Sequence, residues 1–506
     1  MIEPGNFIDA MRPNRPRHIG RSASAGKTSH HTLSLRVRNQ EVEYLSRYDS
    51  VKKTLWYVSL AICALSLASY VTIIGRSYFF QDDFQFWPVY ATIKLPELFN
   101  PATNFGRPVT RDLYFYLVSH LLGMDSSNFF YFNLAVIAGV CVFIYRTLRG
   151  FGLDPYIAAA AASVYFYMPP TIPHASWISN SQHTIAHLFS FWFISSIVRS
   201  VNAGSFRIIR ASLVYLLAMF SNVSSFFALV FVGIYLLLRH RRTPVPRFIP
   251  VMATLALLAA CTIAWSLAIS HSAPVYYKLD LSLGHSIMRA RYYDDLLSKG
   301  MIGAWYRLLF AAMIALTLAN LRRNYLLTLP LAGAFVTAFA MLFFLGDQRT
   351  LGYLAIPYIA LALMLFSNYA VPVQRAGDWR SRSLLLLSFV FIFYSTENGA
   401  PFRNDFMSSP YGAGIREVQN AVRNVRITHD TTFCFAPDEP PQDSGVAHFW
   451  LFLGSGNAFS LIDYGDTHAR QFLYYTDPRC SAPDVVRVSV GQLNSMVTVT
   501  GITMPK

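Results

Sequence analysis

Charge is what this chain has least of: only 14% of its 506 residues are Asp, Glu, Lys or Arg, against 54% hydrophobic. A soluble domain of this size needs far more polar surface, so a soluble globular protein is excluded. The apolar residues come in long blocks, which makes the chain a polytopic membrane protein. Acid is scarcer still than base. With 27 acidic and 42 basic residues the formal charge is +15, which in a soluble protein would suggest nucleic acid. Here the basic residues stand in short loops between apolar blocks, the positive-inside pattern, so a nucleic-acid partner is excluded. No internal repeat of solenoid period is present. Cysteine is rare. Cys63, Cys141 and Cys261 fall inside apolar blocks, where they read as packing residues, while Cys434 and Cys480 fall in the polar C-terminal region.

Residues 1–53 are polar and basic, with Arg12, Arg15, Arg17 and Arg21 set among Pro, Ser and Gly. That composition buries no core and predicts a disordered cytoplasmic tail. It is too long for the charged head of a cleavable signal, so the first span is retained. Apolar blocks at 55–74, 127–148, 156–169, 183–198, 211–238, 248–269, 304–321, 326–345, 351–366 and 384–394 predict a transmembrane domain over 54–395. Block 211–238 taken as one helix would leave Arg239, His240, Arg241 and Arg242 on the outer side. Splitting it at Ser221-Asn222-Val223-Ser224-Ser225 returns the cluster to the cytoplasm and makes about 11 spans. The N-terminus is then inside and the C-terminus periplasmic or extracellular, with external loops at 75–112, 170–182 and 270–303.

Residues 396–506 are not membrane-like. A helix expected near 415–425 and alternating runs at 432–436 and 485–490 predict a small α+β domain on the external face. An oxidising compartment there would permit a Cys434–Cys480 disulfide, without requiring one. The expected fold class is thus an all-α polytopic membrane protein of about 11 transmembrane helices with an α+β C-terminal domain.

One polar stretch pressed between apolar blocks also carries paired charges. Over 78–112 it holds Asp82 and Asp83, then Arg107-Pro108 and Arg111. The order of features resembles the GT-C class of membrane glycosyltransferases. The acidic pair lies in the first external loop. Arg107-Pro108 heads the next helix and leads into Tyr114 to Gly123, and a Pro-x-x-Pro-His-Ala-Ser-Trp-Ile-Ser block fills 170–179. The last two features look most like the O-mannosyltransferase-like branch, although the tetratricopeptide repeats of some members are absent. The likeness covers roughly residues 55–240. It implies a GT-C-like fold in the inner (plasma) membrane and a polyprenyl-phosphate sugar as donor. The acceptor it implies is a hydroxyl on a glycan, lipid or protein.

Such a transfer needs a carboxylate to take the acceptor's proton. Phosphate is already a good leaving group, so positive charge replaces the second carboxylic acid that inverting glycosidases use. Asp82 is the expected base, with Asp83 orienting the acceptor or supporting the loop; capping of the following interfacial helix is the alternative role. Arg107 and Arg111 suit the carrier phosphate through their planar forks, and lipid-headgroup anchoring is their alternative. His174 and His183 are candidates for the sugar pocket, beside Trp177, Asn180, Gln182 and His187. His183 and His187 are four apart on one helix face, which also suits a metal pair. No third ligand stands at a recognisable spacing, so no metal ligand is assigned and a divalent cation stays open. Arg289, Arg291 and Arg349 could complete the phosphate site or sit as solvated interface charges. A transporter or flippase for a lipid-linked glycan is the alternative function. It calls for charge inside the spans and symmetry between halves, and the halves do not look alike. A non-catalytic scaffold binding through its external domain is the third reading.

Overall fold

The structure, a computed structural model, describes residues 27–74, 108–123, 126–176, 178–272, 282–298, 303–344, 351–370, 379–407, 420, 432–437, 471–474, 478–493 and 496–504. The chain divides into a unit of residues 1–51 and a unit of residues 52–506. Helix α1 is Lys27–Ile74, so it starts well before residue 54. The expectation of an unstructured tail over all of 1–53 is corrected from Lys27 onward. The physical reason lies in the sequence: Gly26 is the last of a series of Gly and Pro residues, and 27–50 contains neither. The residues before Lys27 lie outside the described ones.

The further α-helices among the described residues are α2 (Phe115–Leu122), α3 (Ser126–Gly150), α4 (Pro155–Tyr167), α5 (Ile172–Ser176), α6 (Ser181–Asn202), α7 (Ile208–Ser221) and α8 (Phe226–Arg242), followed by α9 (Phe248–Ser272), α10 (Leu283–Ser298), α11 (Tyr306–Ala319), α12 (Leu321–Phe344), α13 (Ala355–Ser367) and α14 (Trp379–Met407). Among the described residues six helices are long and apolar enough to cross a membrane, and four shorter apolar helices accompany them. Their outward faces carry large aliphatic side chains: Leu65, Ile209 and Ile249 are 71%, 77% and 80% exposed. Hydrocarbon is the solvent that such faces require. The chain is a multi-pass membrane protein.

Block 211–238 is two helices, α7 and α8, parted at Asn222. Asn222 is fully extended (φ −163°, ψ 134°), and its side-chain oxygen accepts from the Ser224 amide at 2.9 Å. An Asn that can satisfy its neighbour's N–H makes the break tolerable at membrane depth. With the break in place, the ends of the helices sort by charge. At one end Asn202 donates to the Gly150 carbonyl (2.6 Å), Arg242 lies over the Tyr325 ring (5.4 Å), and Lys52 pairs with Asp154 (2.9 Å). Arg146, Arg149, Arg199, Arg239, Arg241 and Arg322 belong to the same end. Asp154 also caps α4, accepting from the Tyr156 amide at 2.9 Å, with Pro155 in the first turn. Asp154→Ala therefore removes a cap and the partner of a half-buried ammonium together. The expected loss is about 1–2 kcal/mol, read as a lowered thermal midpoint in detergent, whereas Asp154→Asn keeps the cap and loses less.

The external segment expected over 270–303 contains α10, a helix the apolar pattern did not announce. The segment expected as loop over 170–182 is short helical turns, Pro169–Thr171, α5 and Ile178–Asn180, packed inward: Thr171, His174, Ala175 and Ile178 are essentially without exposure. Ile172, Ala175 and Ile178 are the apolar side chains that turn it inward.

At the C-terminal end four strands, β1 (Thr432–Pro437), β2 (Gln471–Tyr474), β3 (Val485–Leu493) and β4 (Met496–Thr503), form one sheet in the order β2-β1-β3-β4. β1 is paired in parallel with both β2 and β3, and β4 returns antiparallel to β3 with a bulge between Ser489 and Val490. Val486 and Val488 are buried with Arg487 exposed between them, the alternation of a half-buried strand. Cys434 on β1 is bonded to Cys480, with 5.4 Å between their Cα atoms. That settles what the sequence left open. The helix expected near 415–425 lies outside the described residues, apart from Asn420.

Candidate functional site

The interruptions of the helices collect at the end opposite Lys52, Arg149, Arg199 and Arg242. Pro108–Tyr114 forms a wide π-helical turn leading into α2. Its Thr110 hydroxyl donates to the Ser221 carbonyl at 3.0 Å, so the turn is fastened to the α7–α8 break. The same turn packs on α6, and so do α5 and the turn Ile178–Asn180. Tyr114 closes the arrangement by donating to the Asn133 side-chain oxygen on α3 at 2.7 Å.

Between these segments lies a cluster of buried imidazoles. His174 on α5 is 5.6 Å, ring to ring, from both His183 and His187 on α6, and those two are 6.5 Å apart. All three are buried. Two tyrosines enclose them: the Tyr165 hydroxyl lies 2.7 Å from His187 Nδ1, and the Tyr353 ring stands edge-on 4.7 Å from His183. A tyrosine hydroxyl that donates to Nδ1 leaves the His187 proton on Nε2. His174 closes no hydrogen bond at either ring nitrogen. Burial pushes its pKa down to about 4, and the backbone of Asn180 and Gly352 beside the ring only partly offsets this. At neutral pH it is an uncharged polar group in a dry setting.

Gly352 sets how closely the turn 351–354 can approach. A Cβ there would come within 2.8 Å of His174 Cε1 and 2.8 Å of Asn180 Nδ2. Gly352→Val is expected to cost about 2 kcal/mol by overpacking, seen as a lower thermal midpoint, and to shift His174. A midpoint equal to the parent's would show that the cluster is loosely packed after all.

Of the residues singled out from sequence, His174 and His183 are brought together here. Arg111 lies on the wide turn one residue after Thr110. Asp82, Asp83, Arg107, Trp177 and Arg349 lie outside the described residues. Arg289 and Arg291 part company: on α10 Arg289 is 1% exposed, whereas Arg291 is exposed. The Arg289 Nε donates to His285 Nε2 at 3.2 Å, one turn earlier. Tyr293, one turn later, has its pKa pushed up to about 12 by burial, with Arg289 opposing the rise. Asp294 faces the other way, bonded to Tyr306 and to both arms of Arg307; those bonds, Arg307 first, hold its carboxyl below the usual range. α10 is therefore clamped to the start of α11. Among the described residues no group of three or more His, Cys, Asp or Glu side chains converges on a metal position, the histidine cluster included.

Sequence reasoning missed Tyr165, Gly352 and Tyr353. Tyr165 sits in an alanine-rich span, and the other two stand about 170 residues beyond His183 in the chain, where nothing local marks them. No family model matches the chain, and no curated protein matches it either.

Proposed function

We propose that this protein is a membrane glycosyltransferase of GT-C type. It moves a sugar from a polyprenyl-phosphate donor to an acceptor hydroxyl with inversion. The observation that supports the reading is the shared seat of two segments far apart in sequence. The turn after Arg107 and the 170–179 block both pack on α6, at the end of the helices away from the basic residues. In a membrane the basic end faces the cytoplasm, so this polar end opens to the outside, with about 11 spans and the C-terminal sheet external. Asp82 acts as base and Asp83 orients the acceptor. Arg107 and Arg111 bind the leaving phosphate, Arg289 adds buried positive charge from α10, and Arg291 and Arg349 are the further cations that could complete the phosphate site. His174, kept uncharged by burial, and His183 supply donors and acceptors to the sugar hydroxyls. A divalent cation, if used, has no seat of three such ligands among the described residues.

The test is transfer of a labelled sugar by the purified protein from a panel of polyprenyl-phosphate sugars. Transfer from at least one donor is the expected result. No transfer from any donor, with a lipid-linked glycan crossing proteoliposomes that contain the protein, would establish the flippase instead.

A further inference from the structure

α10 is an amphipathic helix with its polarity reversed. Its inward face carries Arg289 and Tyr293, both buried, with His285 one turn before Arg289. Its outward face begins with Leu283, Ile287 and Met288, which are 76%, 46% and 41% exposed. A helix on a water-facing surface turns its apolar stripe to the core and its charges outward. Here a guanidinium is buried while three large apolar side chains are exposed, so hydrocarbon rather than water suits the outward face.

The bonds at the C-terminal end of α10 fix its level. Asp294 is bonded to Tyr306 and Arg307 at the head of α11, and the Leu297 carbonyl accepts from the Tyr394 hydroxyl at 2.7 Å. Trp305, immediately before Tyr306, is exposed, and an exposed tryptophan at the head of an apolar helix suits the headgroup layer. Leu308, just beyond Arg307, is exposed as well, so α10 adjoins a helix whose own outward face is apolar. Along α10 the outward side chains change character. Arg291 and Asp295, both exposed, continue at successive turns the stripe that Leu283 and Ile287 begin. From Leu283 to Arg291 the axis advances about 12 Å.

We propose that α10 docks on the bilayer itself, in the leaflet at the end of the helices away from Arg242. Leu283, Ile287 and Met288 lie among the acyl chains, and Arg291 and Asp295 lie at the headgroups. The helix is thus aslant to the surface, its first two turns deeper than its last two. Lipid is the occupant rather than a second protein, because the apolar stripe is only two turns long and stands beside a span that must itself face lipid. In this position α10 keeps Arg289 toward the protein and has hydrocarbon at its back. The inference stands whether or not the glycosyltransferase reading does.

The experiment reads depth at single positions of the full chain in phosphatidylcholine nanodiscs. Cys63, Cys141 and Cys261 are replaced by Ala, the Cys434–Cys480 bond is kept, and a bimane fluorophore is attached through Ile287→Cys or, for comparison, Asp295→Cys. Bromine carried on the acyl chains just below the headgroup should quench the label at Ile287→Cys roughly threefold more than at Asp295→Cys, since an interfacial apolar face lies about 5–10 Å into the headgroup and acyl boundary. Aqueous iodide should show the reverse order. If the triply substituted chain does not fold, the photocrosslinker benzoylphenylalanine replaces Ile287 in the otherwise native chain, and irradiation should add the mass of a phospholipid. Iodide quenching as strong at Ile287→Cys as at Asp295→Cys would put the outward face in water. Protection of the label from both quenchers, or crosslinking to protein instead of lipid, would put a second chain there. Either result overturns the proposal.

Discussion

Asp82→Asn is expected to lower sugar transfer by roughly 10²–10⁴-fold while leaving folding and donor binding intact. The amide keeps the shape of the carboxylate and its acceptor oxygen, but it cannot take the acceptor's proton as the hydroxyl attacks. On the proposed mechanism the loss should fall on kcat, with little change in KM for the donor, because Arg107 and Arg111 are the residues assigned to the phosphate. Arg107→Ala should show the opposite pattern, a weakened donor with folding unchanged, since a guanidinium that grips phosphate in the ground state acts in binding first. Asp83→Asn is the control within the pair. Adjacent side chains on a helix point about 100° apart, so the two should not lose the same step. Full activity in both Asp82→Asn and Asp83→Asn would remove the pair from the mechanism.

Acid is expected to destabilise the protein through His174 by about 3 kcal/mol between pH 6.5 and pH 4. Burial sets the sign. His174 titrates at about 4 when folded, because burial disfavours its charged form, and near 6.5 when unfolded. As pH falls below 6.5 the unfolded chain takes up the proton first, and each further unit costs the fold up to about 1.4 kcal/mol. The decline stops once pH has passed the folded value. His174→Phe has no proton to bind, so its thermal midpoint should change less across this window than the parent's. Equal slopes for the two proteins would show that the ring is hydrated and titrates normally.

How much of this was legible in sequence depends on the range of the signal. The break between α7 and α8 was legible, because Arg239 to Arg242 fix which side the next turn must reach and Asn222 with its serines supplies a polar place to break. β1 and β3 were legible from the alternation of their side chains. β2 was not, at four residues, and β4 carried an alternation, Val497-Thr498-Val499-Thr500, that was open to reading and passed over. α10 was hidden because its inward face is made of His285, Arg289 and Tyr293 rather than aliphatic residues. The histidine cluster was half visible: His183 and His187 share a helix face by spacing alone, but their meeting with Gly352 and Tyr353 is a tertiary event. The inward packing of 170–180 was missed for a related reason, since proline and serine read as loop wherever the surroundings are unknown.

The parallel pairing of β1 also sets an order of events during synthesis. β1 leaves the ribosome before either of its neighbours, yet it is the strand that lies between them. Phe433 and Cys434 must wait, uncovered, until 471–493 has been made and carried to the same side as β1. Cys480 arrives in that final stretch, and its bond to Cys434 can close only then. The covalent link thus records that synthesis has passed Cys480 and that this stretch has met β1. Chains stalled before β3 would present a free thiol and a bare strand edge to whatever inspects newly made membrane proteins.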